Sequence, residues 1–411
     1  MHRPKTKVAL LCLGLAILFV VSINFAAEKQ KSVEGLFYLD KMPVTIEIVD
    51  GKISKIIRKK SVDDPNMADV YVAPGLIDNQ VNGYMSVSFT GEGLTVEGVR
   101  KATRALWKAG VTTFLPTLTT NSHERLLENF SVLATAVQDP EIGQSIPGYH
   151  LEGPYISPVD GYRGAHLKQF VRPPDWQEFM QFYQAADGKI LQVSLAPEID
   201  GAFDFIRKCI DKGIVVALAH HNAPADIVKK AVDAGAAIST HLGNGCANMI
   251  HRHNNPLWPQ LADDRLMASI IVDGHHLRPE EVQVFYKVKG PERTIITSDV
   301  TSLAGMPPGE YTTRGRTVVL TPDGMIKFPA QNVLAGSASP ITRGVGNIMR
   351  FTQCSLADAI HMASRNQARL YGLSDRGEIK PGKRADLILF RLENGEVKII
   401  KTIVAGKVVF E

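Results

Sequence analysis

The chain has 411 residues, of which 45% are hydrophobic and 21% charged, and its formal net charge is +4. Such a composition belongs to a globular protein and excludes a low-complexity or fibrous chain. The basic residues are scattered, which excludes a nucleic-acid footprint, and the length suits one large domain with an appendage.

Residues 1–27 differ in character from the rest of the chain. A basic "MHRPKTK" precedes the apolar run that begins at Val8 in "VALLCLGLAILFVVSINFAA", the form of a signal peptide. The small-residue cleavage site is weak, and Val8 to Ala27 approaches the ~20 residues that span a bilayer. An uncleaved N-terminal anchor is therefore the alternative to a cleaved signal. Both predict a periplasmic, extracellular or membrane-anchored protein, touching a membrane only through this segment. Of the four cysteines, Cys12 lies within it. Cys209, Cys246 and Cys354 lack C-x-x-C spacing and read as buried thiols rather than a disulfide framework.

From residue 33 to 71 the chain runs in short strands, with Asp50-Gly51 as a hairpin signal. Residues 72–371 alternate apolar strand-like runs with amphipathic helices. The runs are "YVAPGLIDNQ", "VTTFLPT", "IPGYHLEG", "LQVSLAPE", "IVVALAHH", "AAISTHL", "MASIIVDG" and "TIITSD". In the helical stretch "PADIVKKAVDAG", Ile227/Ala231 and Val228/Val232 fall at i, i+4 on one face. Gly110, Gly213 and Gly235 close helices just before the next strand. Eight nearly continuous apolar strands separated by helices predict a parallel sheet covered on both faces. A (β/α)8 barrel accounts for their number. An open doubly wound sheet is the alternative, but no G-x-G-x-x-G follows the first strand. Residues 372–411 return to strands separated by Asn394-Gly395 and Ala405-Gly406. The two terminal pieces predict one small β domain beside the barrel.

In a barrel of this kind the active site forms at the C-terminal strand ends. Gln80 and Asn82 end the first strand and Glu152 the third. His220 and His221 end the fifth, His241 the sixth, and Asp299 the eighth, while His276 follows the seventh. One histidine at a strand end is ordinary packing. A glutamate, several histidines and an aspartate on a single rim predict a metal site. Two imidazoles and a carboxylate hold a catalytic zinc while leaving a position for water, whose pKa falls towards ~7. A carboxylate outside the ligand set can then carry a proton to a leaving group. That combination describes hydrolysis of an amide or related C–N bond. The residues alone leave open which of His220 and His221 is the ligand.

The pieces "PGLIDNQVNG", "HLEGPYIS", "RGAH", "AHHNA", "STHLGNG", "VDGHH", "TSDVTSLAGMPPGEY", "LAGSASP" and "ASRNQARLYGL", with "GEIKPGKRADLILF", carry a resemblance. Taken in order, they resemble the amidohydrolase superfamily and, more narrowly, the N-acetylglucosamine-6-phosphate deacetylases. The resemblance implies Glu152, His220 and His241 as metal ligands and Asp299 as the catalytic acid/base. His221 then falls on a serine position of the family. Gln80 and Asn82 stand where binuclear relatives carry H-x-H, which implies one divalent metal per chain, zinc. Ala165, His166, Asn244, Gly245, His276, Leu334, Ala335 and Gly336 are implied substrate contacts. Gly245 replaces the usual alanine.

Arg252 falls on the phosphate-binding arginine, but the loop around it departs from the family and adds Trp258. The implied reaction is removal of the acetyl group from an N-acetylated amino sugar, by a homodimer. The export-like start tilts the expectation in the cell towards an unphosphorylated sugar. A deaminase, a cyclic-amide hydrolase and an inactive sugar-binding relative are the competing readings.

Overall fold

The structure is a computed structural model that describes residues 31–313, 315–329 and 333–411. The expected signal or anchor of residues 1–27 lies outside these described residues. No helix among them is long and apolar enough to cross a membrane.

Eight parallel strands form the centre: β1 (Leu76–Val81), β2 (Val111–Thr119), β3 (Tyr149–Glu152), β4 (Ile190–Leu195), β5 (Val215–Leu218), β6 (Ile238–Ser239), β7 (Met267–Ile271) and β8 (Thr294–Thr297). They pair in chain order from β1 to β8. All nine residues of β2 are buried, because helices cover one face and the barrel interior the other. Between β1 and β8 the barrel closes by a single bridge, Val81 to Val300, with Asn82 N donating to Val300 O at 2.8 Å. This is the expected (β/α)8 barrel, and the open doubly wound alternative drops out.

The helices follow their sequence signals. Val96–Lys108 is capped by Thr95, whose Oγ1 accepts from Gly98 N at 3.0 Å, and it buries Val99, Ala102 and Leu106. Gly110 then turns the chain at φ +77°, and a Cβ there would lie 2.7 Å from Ile399 Cδ1. Ala225–Asp233 buries Val228, Ala231 and Val232, the face that the i, i+4 spacing predicts.

The terminal pieces meet in a seven-stranded sheet. Its order is Lys407–Phe410, Glu396–Val404, Leu387–Glu393, Tyr71–Pro74, Lys31–Phe37, Pro43–Val49 and Lys52–Arg58. Its three two-residue hairpins turn at Asp50-Gly51, Asn394-Gly395 and Ala405-Gly406, with positive φ at both residues of each pair. Two-residue turns of this hand match the twist of the flanking strands.

One element goes beyond the sequence reading. After β8 the chain builds a four-stranded antiparallel sheet from Gly309–Thr313, Arg316–Leu320, Met325–Phe328 and Val333–Ser337. It has its own small core of Leu303, Val318, Leu320, Ile326 and Phe328. Arg316 Nη1 donates to Ala165 O at 2.9 Å, fastening this sheet to the loop after β3.

Candidate active site

Strand alternation and a few left-handed residues bring the polar groups together. On β1 the inward positions recur every second residue, so Asp78, Gln80 and Asn82 climb one face towards the rim. At the tips of β5, β6 and β8, His220, His241 and Asp299 adopt φ of +50°, +29° and +51°. Non-glycine residues hold such conformations only where their surroundings enforce them.

Glu152 is the hub. Its Oε1 accepts from Gln80 Nε2 at 2.9 Å and lies 3.0 Å from His241 Nε2 and 3.5 Å from His220 Nε2. His220 Nδ1 lies 3.0 Å from the carbonyl of Tyr162, which takes its proton and leaves Nε2 facing the carboxylate. The ligand atoms of Glu152, His220 and His241 all fall within 4.8 Å of one another, and all three residues are buried. Ligands about 2.0–2.2 Å from a tetrahedral zinc stand roughly 3.3–3.6 Å apart. The observed 3.0 and 3.5 Å lie close to that range, so this donor set fits a divalent cation. Burial works to raise the Glu152 carboxyl, but hydrogen bonds from His220 and His241 outweigh it and hold it well below the usual range.

Asp299 faces this cluster. Burial first, then the charge of Glu152, raises its carboxyl to about 7, while His241, His276 and Asn82 pull the other way. Asn82 Nδ2 donates to its Oδ1 at 2.6 Å. Gly336 packs beneath it at φ +67°: a Cβ there would lie 2.6 Å from Thr301 Cγ2 and 3.1 Å from Asp299 O. Ser337 N donates to Asp299 O at 3.0 Å, so Leu334, Ala335 and Gly336 run alongside the aspartate.

His220 and His221 part company. His221 is buried on the other side of the chain, where its Nδ1 accepts from Ala223 N at 3.2 Å. It lines a small cavity with Asn244, Cys246, Leu257 and Gln260, and burial lowers its ring to about 4. His166 comes closer to the hub than a substrate contact requires. Its Nε2 is 3.1 Å from His220 Nε2, and its Nδ1 is 2.8 Å from Thr120 Oγ1.

Gly245 lies flush against both imidazoles, since a Cβ there would stand 2.9 Å from His220 Nδ1 and 3.2 Å from His241 Cε1. Asn244 holds the same turn through its N–H, which donates to His241 O at 2.9 Å. His276 Nδ1 is 2.8 Å from Asp273 Oδ2. Arg252 joins none of this: it is exposed on a loop, and its carbonyl accepts from Trp258 Nε1 at 2.9 Å.

Three contacts are absent from the sequence reading: Tyr162 O on His220, Thr120 on His166, and Arg316 on Ala165. Thr120 ends the run "VTTFLPTLTT", so a strand-end reading of β2 could have found it. A backbone carbonyl and a residue on an unrecognised sheet leave no such mark.

A barrel with histidine and carboxylate donors on its C-terminal rim defines a metal-dependent hydrolase of the amidohydrolase type. The family model "Amidohydrolase family" matches residues 71–409, and the chain belongs to that family. Within it, the chain belongs to the N-acetylglucosamine-6-phosphate deacetylase family. The enzyme of that name from Bacillus subtilis is 31% identical, over 89% of this chain and 92% of its own. An N-acetylgalactosamine-6-phosphate deacetylase of Escherichia coli O157:H7 is also 31% identical, over 77% of this chain and 82% of its own. The crystal structure of the N-acetylglucosamine-6-phosphate deacetylase from Thermotoga maritima superposes with a TM-score of 0.81 at 29% identity, covering 93% of this chain and all of that one.

Proposed function

We propose that this chain hydrolyses the acetamide of an N-acetylhexosamine 6-phosphate, releasing acetate and the free amino sugar phosphate. The observation that carries the reading is the convergence of His241 Nε2 and His220 Nε2 on Glu152 Oε1, at 3.0 and 3.5 Å, with buried Asp299 opposite them. These three residues would hold one divalent cation, zinc by the type of donors. Such a cation, when bound, acidifies water and polarises an amide carbonyl. Asp299 takes the proton of the attacking water and delivers it to the departing amine. A carboxyl raised to about 7 is suited to both directions near neutral pH. Asn82 holds one oxygen of that carboxyl and leaves the other for the proton. Gln80 donates to Glu152 rather than supplying a ligand of its own, which supports a single metal.

The 6-phosphate is supported by the names of the relatives. A second reading, the unphosphorylated sugar, is favoured by the exposure of Arg252 and by the export-like form of residues 1–27. We further infer that residues 1–27 direct export or anchor the chain, and that it works as a homodimer. Turnover of N-acetylglucosamine and its 6-phosphate, measured side by side on the purified chain, tests the proposal. Preference for the phosphate by more than about a hundredfold supports the first reading, and parity supports the second. If neither sugar turns over, the deacetylase reading is lost. An arginine–phosphate contact is worth about 1.5–3 kcal/mol. On the first reading, Arg252→Ala therefore lowers kcat/KM for the phosphate roughly 10- to 150-fold and leaves the free sugar unaffected.

A further inference from the structure

Beyond the single Val81–Val300 bridge the barrel seam between β1 and β8 has no backbone ladder among the described residues, so side chains supply most of its stitching. Near the lower end Gln367 Nε2 donates to Ile77 O of β1 and, at 2.9 Å, to Ile296 O of β8. At the rim Asn82 spans the same gap to Val300 and Asp299. Asp78 lies between these two stitches. Its Oδ1 accepts from Thr297 Oγ1 at 3.0 Å, from Ser298 N at 3.2 Å and from Gln80 N at 3.4 Å. The side chain is wholly buried, at 0% exposure.

A buried carboxylate is a costly way to hold two strands together, and a seam that needed only cohesion could be apolar. What a carboxylate oxygen offers is several acceptor directions at one point, gathering donors from two strands at once. The peptide it holds joins Thr297 to Ser298, one residue before Asp299, where the backbone turns left-handed at φ +51°. Fixing the Ser298 N–H fixes the Thr297–Ser298 peptide plane one residue before that turn, and so narrows the directions open to the Asp299 side chain. In an ordinary barrel strand ladders on both sides do this, whereas here the β7 ladder ends at Thr297 and the β1 side has only the bridge at Val300 among the described residues.

We propose that Asp78 is a positioning residue that sets the aim of Asp299 across the unladdered seam, acting through Thr297 and Ser298. The inference rests on the proton role given to Asp299 above. The test compares Asp78→Ala, Asp78→Asn, Thr297→Val and Asp299→Asn in the full chain loaded with zinc, with N-acetylglucosamine-6-phosphate as substrate. Metal content, melting temperature, kcat and KM are measured for each.

In Asp78→Ala, kcat should fall about 10- to 100-fold, because small misplacements of a reacting group carry costs of that order. KM should stay within about threefold and metal content near that of the parent. Asp78→Asn keeps Oδ1 as an acceptor and should recover most of the loss. Thr297→Val removes one donor at nearly constant shape and should lower kcat about 3- to 10-fold. If Asp78→Ala does not fold, this second variant decides the question. A merely structural role would lower the melting temperature without splitting kcat from KM and without rescue by asparagine. Parent-like kcat in Asp78→Ala and Thr297→Val, with Asp299→Asn inactive, would overturn this inference alone. Full turnover in Asp299→Asn would overturn the proton role and this inference with it.

Discussion

The seven-stranded sheet and the barrel rim both depend on left-handed backbone, but they place it on different residues. In the two-residue hairpins of the sheet it falls on the pairs Asp50-Gly51, Asn394-Gly395 and Ala405-Gly406. Five of those six residues are types that tolerate positive φ well, and none faces a site. At the rim it falls on His220, His241 and Asp299, none of them a glycine. Each such residue costs of order 1–3 kcal/mol. Where a fold is free to choose, it relieves the strain with glycine. Where it keeps a histidine instead, the side chain is what the position is for.

That contrast is sharpest in the metal ligands. Replacing Glu152 or His241 with Ala should strip most of the metal and lower turnover by about 10³-fold or more, with parent protein binding close to one zinc per chain. Elemental analysis beside a turnover assay reads both. His220→Ala should behave likewise, whereas His221→Ala should keep its metal, and the reverse order would show that the two neighbours have been assigned the wrong way round. Next comes Asp299→Asn, which keeps size and the Asn82 contact but removes the proton acceptor. Zinc should stay while kcat falls by ~10² or more, and near-parent activity would leave the reaction without its base.

A third test reaches beneath the rim. Burial pushes both His150 and His221 down to about 4, whereas in the unfolded chain they titrate near 6.5. Between those values the unfolded chain takes up protons that the fold refuses. Their contribution is therefore fully present above pH 6.5 and is lost as the pH falls towards 4, by up to roughly 3 kcal/mol for each ring. Urea midpoints at pH 7.5 and 4.5 should differ accordingly, and equal midpoints would mean that neither ring stays neutral. The smallest effect lies in the sheet. Ala405→Gly should relieve a left-handed alanine and stabilise the chain by about 0.5–1 kcal/mol. A lowered melting temperature would contradict the strain assigned to that turn.

The eight strands were legible because each is an apolar run closed by a glycine or a polar tip, and local pattern suffices for that. The hairpins were legible because residue pairs such as Asp50-Gly51 force the turn. The rim histidines were legible only as a group: adjacent residues at a strand tip point to opposite sides, and a one-residue register decides between His220 and His221. His166 against His220 could not be read, since 54 residues of chain separate them and a loop brings them together. The sheet of Gly309–Ser337 escaped because "RTVVL" and "MIKF" are short and sit among turn residues. Arg252 aligned with a phosphate contact, yet an exposed loop carries it where no neighbour fixes its direction.

The order of strands in the terminal sheet also bears on how the molecule comes into being. Tyr71–Pro74 lies between Lys31–Phe37 and Leu387–Glu393, so an early strand waits for one made at the end of synthesis. Arg391 and Asp69, joined at 2.9 Å, are 322 residues apart. Pairing at such separation is slow, because a long loop must close before any contact rewards it. Until the last strands emerge, one edge of Tyr71–Pro74 is unpaired and open to association with other chains. Truncation just before Leu387 would therefore leave the terminal sheet with a permanently open edge, and aggregation rather than lost catalysis would be its first symptom.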